Sequence, residues 1–468
     1  MSESISEMVL PGTYIEVRAE GLIGVGQIST GNVGVVGTAS RGPRNTVKLV
    51  GSYSEAIDVF GNYDSFTSPT LADNPLTLIR TLEQAFRGGA KNVFAVRIAN
   101  GDPTKASADV ESIDDAGFTI TAKDAGSYGN DIAYTVVNEG SVADPSFKLT
   151  ITYKQVTENY VGATVGDVHA LVAAQSVLVD AADPVDGTKA LAEVDPAENL
   201  TGGVDHADVS AADLAEGLAA LEDQPVNILI VGGFGSDVAR GSVTAHLEAT
   251  ENEGRERIAI LGASASTSTT VETEADALAS PRIVLVAPGL KTVDAVSDAV
   301  VELPPPYLAA VVAGRLSTLA PHVSLTNKTV AVDDLDTHYS STVYKNLLQK
   351  RVLLVRQRFG FQVVKGITTD TGAFKQISIR RVVDYAKAGV RSGSNPYIGR
   401  LNNTRVRAAL KATLDGFLSQ MVQDEMLVQY SLEVTATRAQ EIQGIAVVIM
   451  TLMPTFSIDF IRVTMNLQ

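Results

Sequence analysis

Five short runs are apolar at almost every position: Val33 to Gly37 (VGVVG), Val93 to Ile98 (VFAVRI), Val226 to Val231 (VNILIV), Arg257 to Leu261 (RIAIL) and Arg282 to Ala287 (RIVLVA). A strand with one wet face alternates. A strand that is apolar throughout must be covered on both faces, which points to a parallel sheet between two helical layers. The spacing between the runs agrees. Asn74-Pro75 opens a segment with Leu76, Ile79, Leu82 and Phe86 at three- and four-residue intervals, and Gly88-Gly89 closes it before Val93, as in a β–α–β unit. The expected fold class is α/β and multidomain, since 468 residues correspond to about three domains.

The α/β rhythm is interrupted once. Between 102 and 203 the texture becomes short strands (Phe118 to Thr121, Ile132 to Val137, Phe147 to Tyr153) separated by Gly, Asp, Asn and Ser, with a helical stretch near Val168 to Val177. This is a mostly β insertion that leaves the core discontinuous. The last third predicts strands at Val352 to Val355 and Phe374 to Ile379, an amphipathic helix from about Thr404 to Val422, and a central buried strand at Ile445 to Met450. That is an α+β C-terminal domain.

Both chain ends carry strand patterns without a local partner. Near the start, Ile15 and Val17 alternate with Tyr14, Glu16 and Arg18, and glycines flank the run. Near the finish, Phe456, Ile458 and Phe460 alternate with polar residues, and then the phase slips so that Ile461, Val463 and Met465 continue it. The slip predicts a bulge between Phe460 and Ile461. The chain thus divides into an extended N-terminal arm (1–27), core (28–101), insertion (102–203), core again (204–340), C-terminal domain (341–453) and C-terminal arm (454–468).

With 54 acidic and 37 basic residues, the formal charge is −17. That balance argues against direct nucleic-acid binding, which needs cations against phosphates. The charge is uneven: Lys350 to Lys411 holds fourteen Lys and Arg against two Asp, a net +12, so the remainder carries −29. Such polarity suggests that further copies of the chain, or an acidic partner, dock on the basic part. Zero cysteines remove disulfides and thiolate metal sites, and no apolar run approaches the roughly 18 residues of a membrane span. The first residues lack the basic and apolar regions of a signal peptide, so a soluble protein made in the cytoplasm is expected.

Chemistry is sparse. The turn after Val231 (GGFGSDVARG) has glycines between strand and helix, but Val238 stands where a dinucleotide fingerprint needs its third glycine. The best catalytic candidate is Asp334-x-Asp336 with His338 nearby, a pattern that could hold a divalent cation and a sugar-nucleotide diphosphate. A metal-dependent sugar-nucleotide transferase is therefore the alternative function. Against it, no further acidic base or basic phosphate clamp lies nearby, and the histidines never pair at metal-ligand spacing.

Seven strings resemble, in order, the contractile tail sheath family of phage tails, R-type bacteriocins and related injection systems: VLPGTYIEVR (9–18), ISTGNVGVVGTASRGP (28–43), FRGGAKNVFAVRI (86–98), GSYGNDI (126–132), LTGGVD (200–205), FKQISIRRVVDY (374–385) and YIGRLNN (397–403). Residues 142–199 match nothing, and the acidic Pro-Asn motif that some branches carry before the long helix is missing. The resemblance implies a structural protein without catalytic residues, metal or cofactor. Its subunits would stack as hexameric rings around an inner tail tube protein, meet baseplate and tail terminator proteins, and assemble in the host cytoplasm into a virion tail. It further implies that the two arms add strands to neighbouring subunits, through Tyr14, Ile15 and Val17 at one end and Ile458, Phe460, Ile461 and Val463 at the other. The basic start of the long helix, Arg405, Arg407 and Lys411, falls at the family's tube-attachment helix.

Overall fold

The computed structural model describes residues 28–67, 75–113, 117–141 and 145–466. The expected arm strand at Tyr14, Ile15 and Val17 lies outside them.

The apolar runs form one sheet. Its strands are β1 (Val33–Gly37), β2 (Val47–Val50), β3 (Val93–Arg97), β11 (Ile228–Val231), β12 (Ile258–Gly262), β13 (Ile283–Ala287), β17 (Val352–Gln357) and β18 (Phe361–Val363), in the order β18-β17-β13-β12-β11-β1-β3-β2. The inner six are parallel, and the short edge strands β2 and β18 run antiparallel. Successive side chains serve opposite layers. Val35, Ile230, Ile260 and Val286 pack with α1 (Tyr53–Phe60), α2 (Leu78–Gly88) and α7 (Pro305–Ser317). Val36, Leu229, Leu261 and Leu285 pack with α4 (Ala211–Ala220), α5 (Ser236–Asn252), α6 (Ser268–Asp276) and α8 (Ser341–Gln349). A smaller antiparallel sheet of β14 (Leu290–Val293), β15 (Val300–Leu303) and β16 (Asp334–Leu335) flanks the first layer.

The insertion between β3 and α4 has its own core, made of residues from Ala106 to Leu200. One sheet pairs β4 (Ser107–Val110), β5 (Phe118–Ala122) and β9 (Val179–Ala181). The other joins β6 (Ala133–Asn138), β7 (Phe147–Tyr153), β8 (Val156–Gly162) and β10 (Val194–Asn199), with α3 (Val165–Gln175) packed on it. Entry and exit strands touch, since the Thr104 N–H donates to Val204 O at 3.1 Å. Arg97, fully buried at the end of β3, locks this crossing by donating to Gly42 O and Ala125 O, both at 2.7 Å, and to Asp205 at 3.3 Å. Asp205 also accepts from the backbone N–H of Ser127 at 2.7 Å.

The C-terminal part consists of α9 (Ile377–Ser394), α10 (Thr404–Gln423), β19 (Leu427–Thr435), α11 (Arg438–Ile442) and β20 (Val447–Pro454). The strand expected at Phe374 to Ile379 is instead the entry to α9. All six residues from Ile377 to Val382 are buried, so the first turns show no polar face and Ile377-Ser378-Ile379 imitates alternation. The strand expected as central and buried at Ile445 to Met450 begins at Val447 and belongs to a sheet of two, where its side chains are alternately half-buried and exposed.

A close glycine crossing of α2 and α7 holds the first layer. A Cβ on Gly314 of α7 would lie 2.1 Å from Ala85 O and 3.0 Å from the Gly88 Cα of α2. Neither backbone can give way, so Gly314→Ala is expected to lower stability by about 1–3 kcal/mol through overpacking, measured as a reduced denaturant midpoint with an unchanged slope.

Candidate assembly interface

The C-terminal unit hangs on α9, and α9 is held by charge. Arg282 at the foot of β13 donates to Glu251 of α5 at 2.6 and 2.7 Å and to Asp384 of α9 at 2.8 and 3.1 Å. Lys387 reaches Glu251 at 2.8 Å, and Arg391 reaches Glu256 at 3.0 Å. Arg282 itself is buried. Arg381, also buried, donates to Leu319 O and Thr30 O at 3.0 Å.

Part of the +12 segment is therefore neutralised inside the subunit. Lys350 pairs with Asp276, Lys365 with Asp459, Arg380 with Asp384 and Arg407 with Glu441. Charge polarity along the chain is resolved in part by folding one region onto another.

On α10 the buried positions Leu410, Leu414, Leu418 and Met421 form the stripe that receives the sheet. Asn403 caps the helix by accepting the Val406 N–H at 2.9 Å. Tyr430, Leu432 and Val434 of β19, with Leu452 and Val448 of β20, pack towards α10. Tyr430 Oη is fixed by Asp415 and Ser419, both at 2.7 Å.

This sheet has two strands only, so each has one lateral edge without a ladder among the described residues. Soluble proteins usually blunt such edges with charge, proline or a bulge. β20 (VVIMTLMP) carries no charge and has its single proline at the last position, and β19 carries only Glu433. A row of unpaired N–H and C=O groups on an uncharged edge is a template for another strand.

Beside it runs the chain end. Thr455 N–H donates to Met426 O at 3.1 Å, and Asp459 accepts from Gln376 at 3.2 Å and pairs with Lys365 at 3.4 Å. No strand forms from 455 to 466, so the expected bulge at Phe460 has no ladder in which to occur. Phe456, Ile458, Phe460, Ile461, Val463 and Met465 are 63–85% exposed. Six large apolar side chains in one short segment are far more than the scattered exposure ordinary surfaces show.

The three helix-start cations are not one patch. Arg405 and Lys411 are exposed, while Arg407 turns to Asn402 Oδ1 at 2.8 Å and Glu441 at 2.9 Å. Asp334, Asp336 and His338 are also divided. Asp334 meets His338 at 3.1 Å, whereas the Asp336 carboxylate accepts from Ser266, its backbone N–H donates to Gly289 O at 3.3 Å, and burial pushes its carboxyl up. Among the described residues no three His, Asp or Glu are placed to hold a metal ion, and no helix is long and apolar enough to cross a membrane. The glycine-rich turn after β11 serves packing: a Cβ on Gly232 would meet Thr81 Oγ1 at 2.9 Å, and one on Gly235 would meet the Ser264 Cα at 2.6 Å.

Sequence reasoning missed the Arg282 node. Its signal was an arginine bordering an otherwise apolar strand, a feature shared by Arg97, Arg257 and Arg282, all of which are buried.

Hydrogen bonds from Arg282, and then from Lys387, hold the Glu251 carboxyl down at about 2, against 4.5 ordinarily. A depressed acid stabilises fully above its unfolded value and loses that contribution as pH falls through its folded value. The docking of α9 should therefore weaken between pH 4.5 and about 2. Thermal unfolding across that range should show the decline, and Glu251→Gln should flatten it. Arg282→Met strands two carboxylates and is expected to cost about 3–5 kcal/mol.

Two family models match: the phage tail sheath protein central domain over residues 207–369 and the phage tail sheath C-terminal domain over residues 369–468, together more than half of the chain. No curated protein sequence matches. Among solved structures, the chain resembles the sheath tail protein of Desulfitobacterium hafniense, with a TM-score of 0.67, 18% identity, and coverage of 95% of this chain and 100% of that one. The sheath tail protein of Listeria innocua gives 0.63, 16%, 93% and 98%. The anti-feeding prophage helical sheath in its contracted state gives 0.57, 14%, 98% and 99%. An α/β core with a β-rich insertion and an α+β C-terminal unit is thus the fold of sheath proteins, and the chain belongs to the phage tail sheath family.

Proposed function

We propose that this chain is the structural subunit of a contractile tail sheath, one that polymerises as stacked hexameric rings around an inner tube. The observation that carries this is the unfinished two-stranded sheet of β19 and β20 beside an exposed apolar chain end. A strand from one subunit completing the sheet of another satisfies both at once. Backbone pairing supplies adhesion, and alternate side chains supply register. Residues Tyr14, Ile15 and Val17 of one arm and Ile458, Phe460, Ile461 and Val463 of the other are the proposed exchanged strands. The likeness to a helical sheath chain supports helical stacking.

Contraction then needs no nucleotide. Its energy lies in the difference between two sets of interfaces, with subunits moving as rigid bodies while the exchanged strands keep them linked. Exposed ion pairs contribute only about 0.2–1 kcal/mol each, but many change together in a lattice. The rearrangement drives the tube through the target cell envelope. Arg405 and Lys411, with Arg407 placed between them in sequence, are the proposed contacts to acidic patches on the tube protein. Baseplate and tail terminator proteins are the proposed partners at the two ends, in a virion tail assembled in the host cytoplasm. No catalytic step is assigned, and among the described residues the Asp334-x-Asp336 transferase has no assembled ligand set to support it.

Deleting residues 1–21 should leave a folded, soluble subunit that forms no sheaths. Tubular polymers of that variant in electron micrographs would exclude the arm exchange. Replacing Arg405, Arg407 and Lys411 together with Glu should reduce co-sedimentation with the tube protein and its sensitivity to salt; unchanged binding would remove them from the tube contact.

A further inference from the structure

The β17–β18 hairpin turns through Phe359 and Gly360, with φ of +52° and +92°. Positive φ is unfavourable for a bulky side chain, and turns of this kind ordinarily use Asn, Asp or Gly. Phe359 is also 92% exposed, above every other large apolar residue described. It packs against nothing that would offset the strained backbone. An aromatic held at a hairpin tip at a cost to the monomer has its contact outside the monomer.

A cleft of suitable size lies elsewhere on the same chain. A cleft of about 330 Å³ lies between the feet of β11 and β12 and the flank of α9, with Pro225, Pro321, Tyr385 and Ala388 among its walls. Asp223 on its rim is 82% exposed, and Glu253 stands close by through their shared partner Arg255. The lining is mixed, with Arg255, Glu256, Arg381 and Asp384 beside the apolar walls, and Asp223, although paired with Arg255 at 2.5 Å, keeps enough exposure to meet a second cation such as the exposed Arg358 beside the aromatic. Position decides the geometry. β11, β12, β13 and β17 are parallel, so the cleft lies at the N-terminal end of the sheet and the Phe359 tip at its C-terminal end. A knob and its hole at opposite ends of one direction form a heterologous contact, which repeats from copy to copy as a ring or an open helix.

We propose that Phe359 of one copy seats in this cleft of the next copy along the strand direction, with Arg358 meeting Asp223. The contact rests on the polymer reading above and is separate from strand exchange by the arms. Because α9 forms one wall, the hole exists only when the Arg282 node has docked that helix.

The absence of native cysteines makes the test direct. Phe359→Cys with Ala388→Cys should give disulfide-linked ladders in oxidised polymers of the full chain, and neither single variant should. Phe359→Asn, which suits the left-handed backbone, should leave the monomer melting temperature equal or higher while polymer yield is lost. Polymers without the double-cysteine ladder, or wild-type yield from Phe359→Asn, would overturn the contact and leave the sheath reading standing. A disulfide from Ala388→Cys to Ile15→Cys instead would assign the cleft to an arm and also overturn it. A wild-type chain that never polymerises, even with tube protein, would overturn both.

Discussion

Arg282 is the point on which the architecture turns. A guanidinium taken out of water is expensive unless every donor is used, and here two carboxylates from different helices and the Arg257 carbonyl use them. One side of that arrangement is the central sheet and the other is α9, which carries the C-terminal unit. The pairing is specific rather than merely adhesive: each carboxylate meets the planar fork through two nitrogens, so sliding α9 along the core would break several charged hydrogen bonds together. The rigid seating of the C-terminal unit on the core is set at this node.

The C-terminal unit shows the opposite economy. Among the described residues it has two strands over one helix stripe, and the inward side chains of those strands are half-buried. Isolated hairpins are marginal in water, and this one is supported by α10 rather than by further strands. On the strand-exchange proposal, folding of the subunit and completion of the sheet would be separate events, the first encoded within the chain and the second dependent on another.

How much of this was legible depends on where each signal resides. Ile228 to Val231 and Ile283 to Ala287 announce a doubly covered sheet because burial on both faces leaves a uniform apolar run, and the structure has that sheet. Ile377 to Val382 misled because a helix start buried all round has no polar stripe, and two isoleucines around a serine look like a strand. Ile445 to Met450 read as a central strand because composition reports apolarity but not how many neighbours a strand has. The basic segment was visible in sequence, yet its partners Glu251, Glu256 and Asp276 lie more than seventy residues away, and pairing at that separation leaves no local pattern. Phe359 shows its character only when its backbone angle and exposure are both known.

The crossing at Thr104 and Val204 has a wider consequence. Because the inserted lobe enters and leaves through adjacent, hydrogen-bonded strands clamped by Arg97 and Asp205, the two ends of the core meet at almost one point. Whatever is spliced there leaves the sheet order and the α9 node untouched, provided its own ends come together. The lobe carries seventeen Asp and Glu against five Lys, and no arginine occurs between Arg97 and Arg240. The chain is thus modular in its chemistry: an acidic lobe joined to the core at a single crossing, so that a change in its size or charge need not disturb the central sheet.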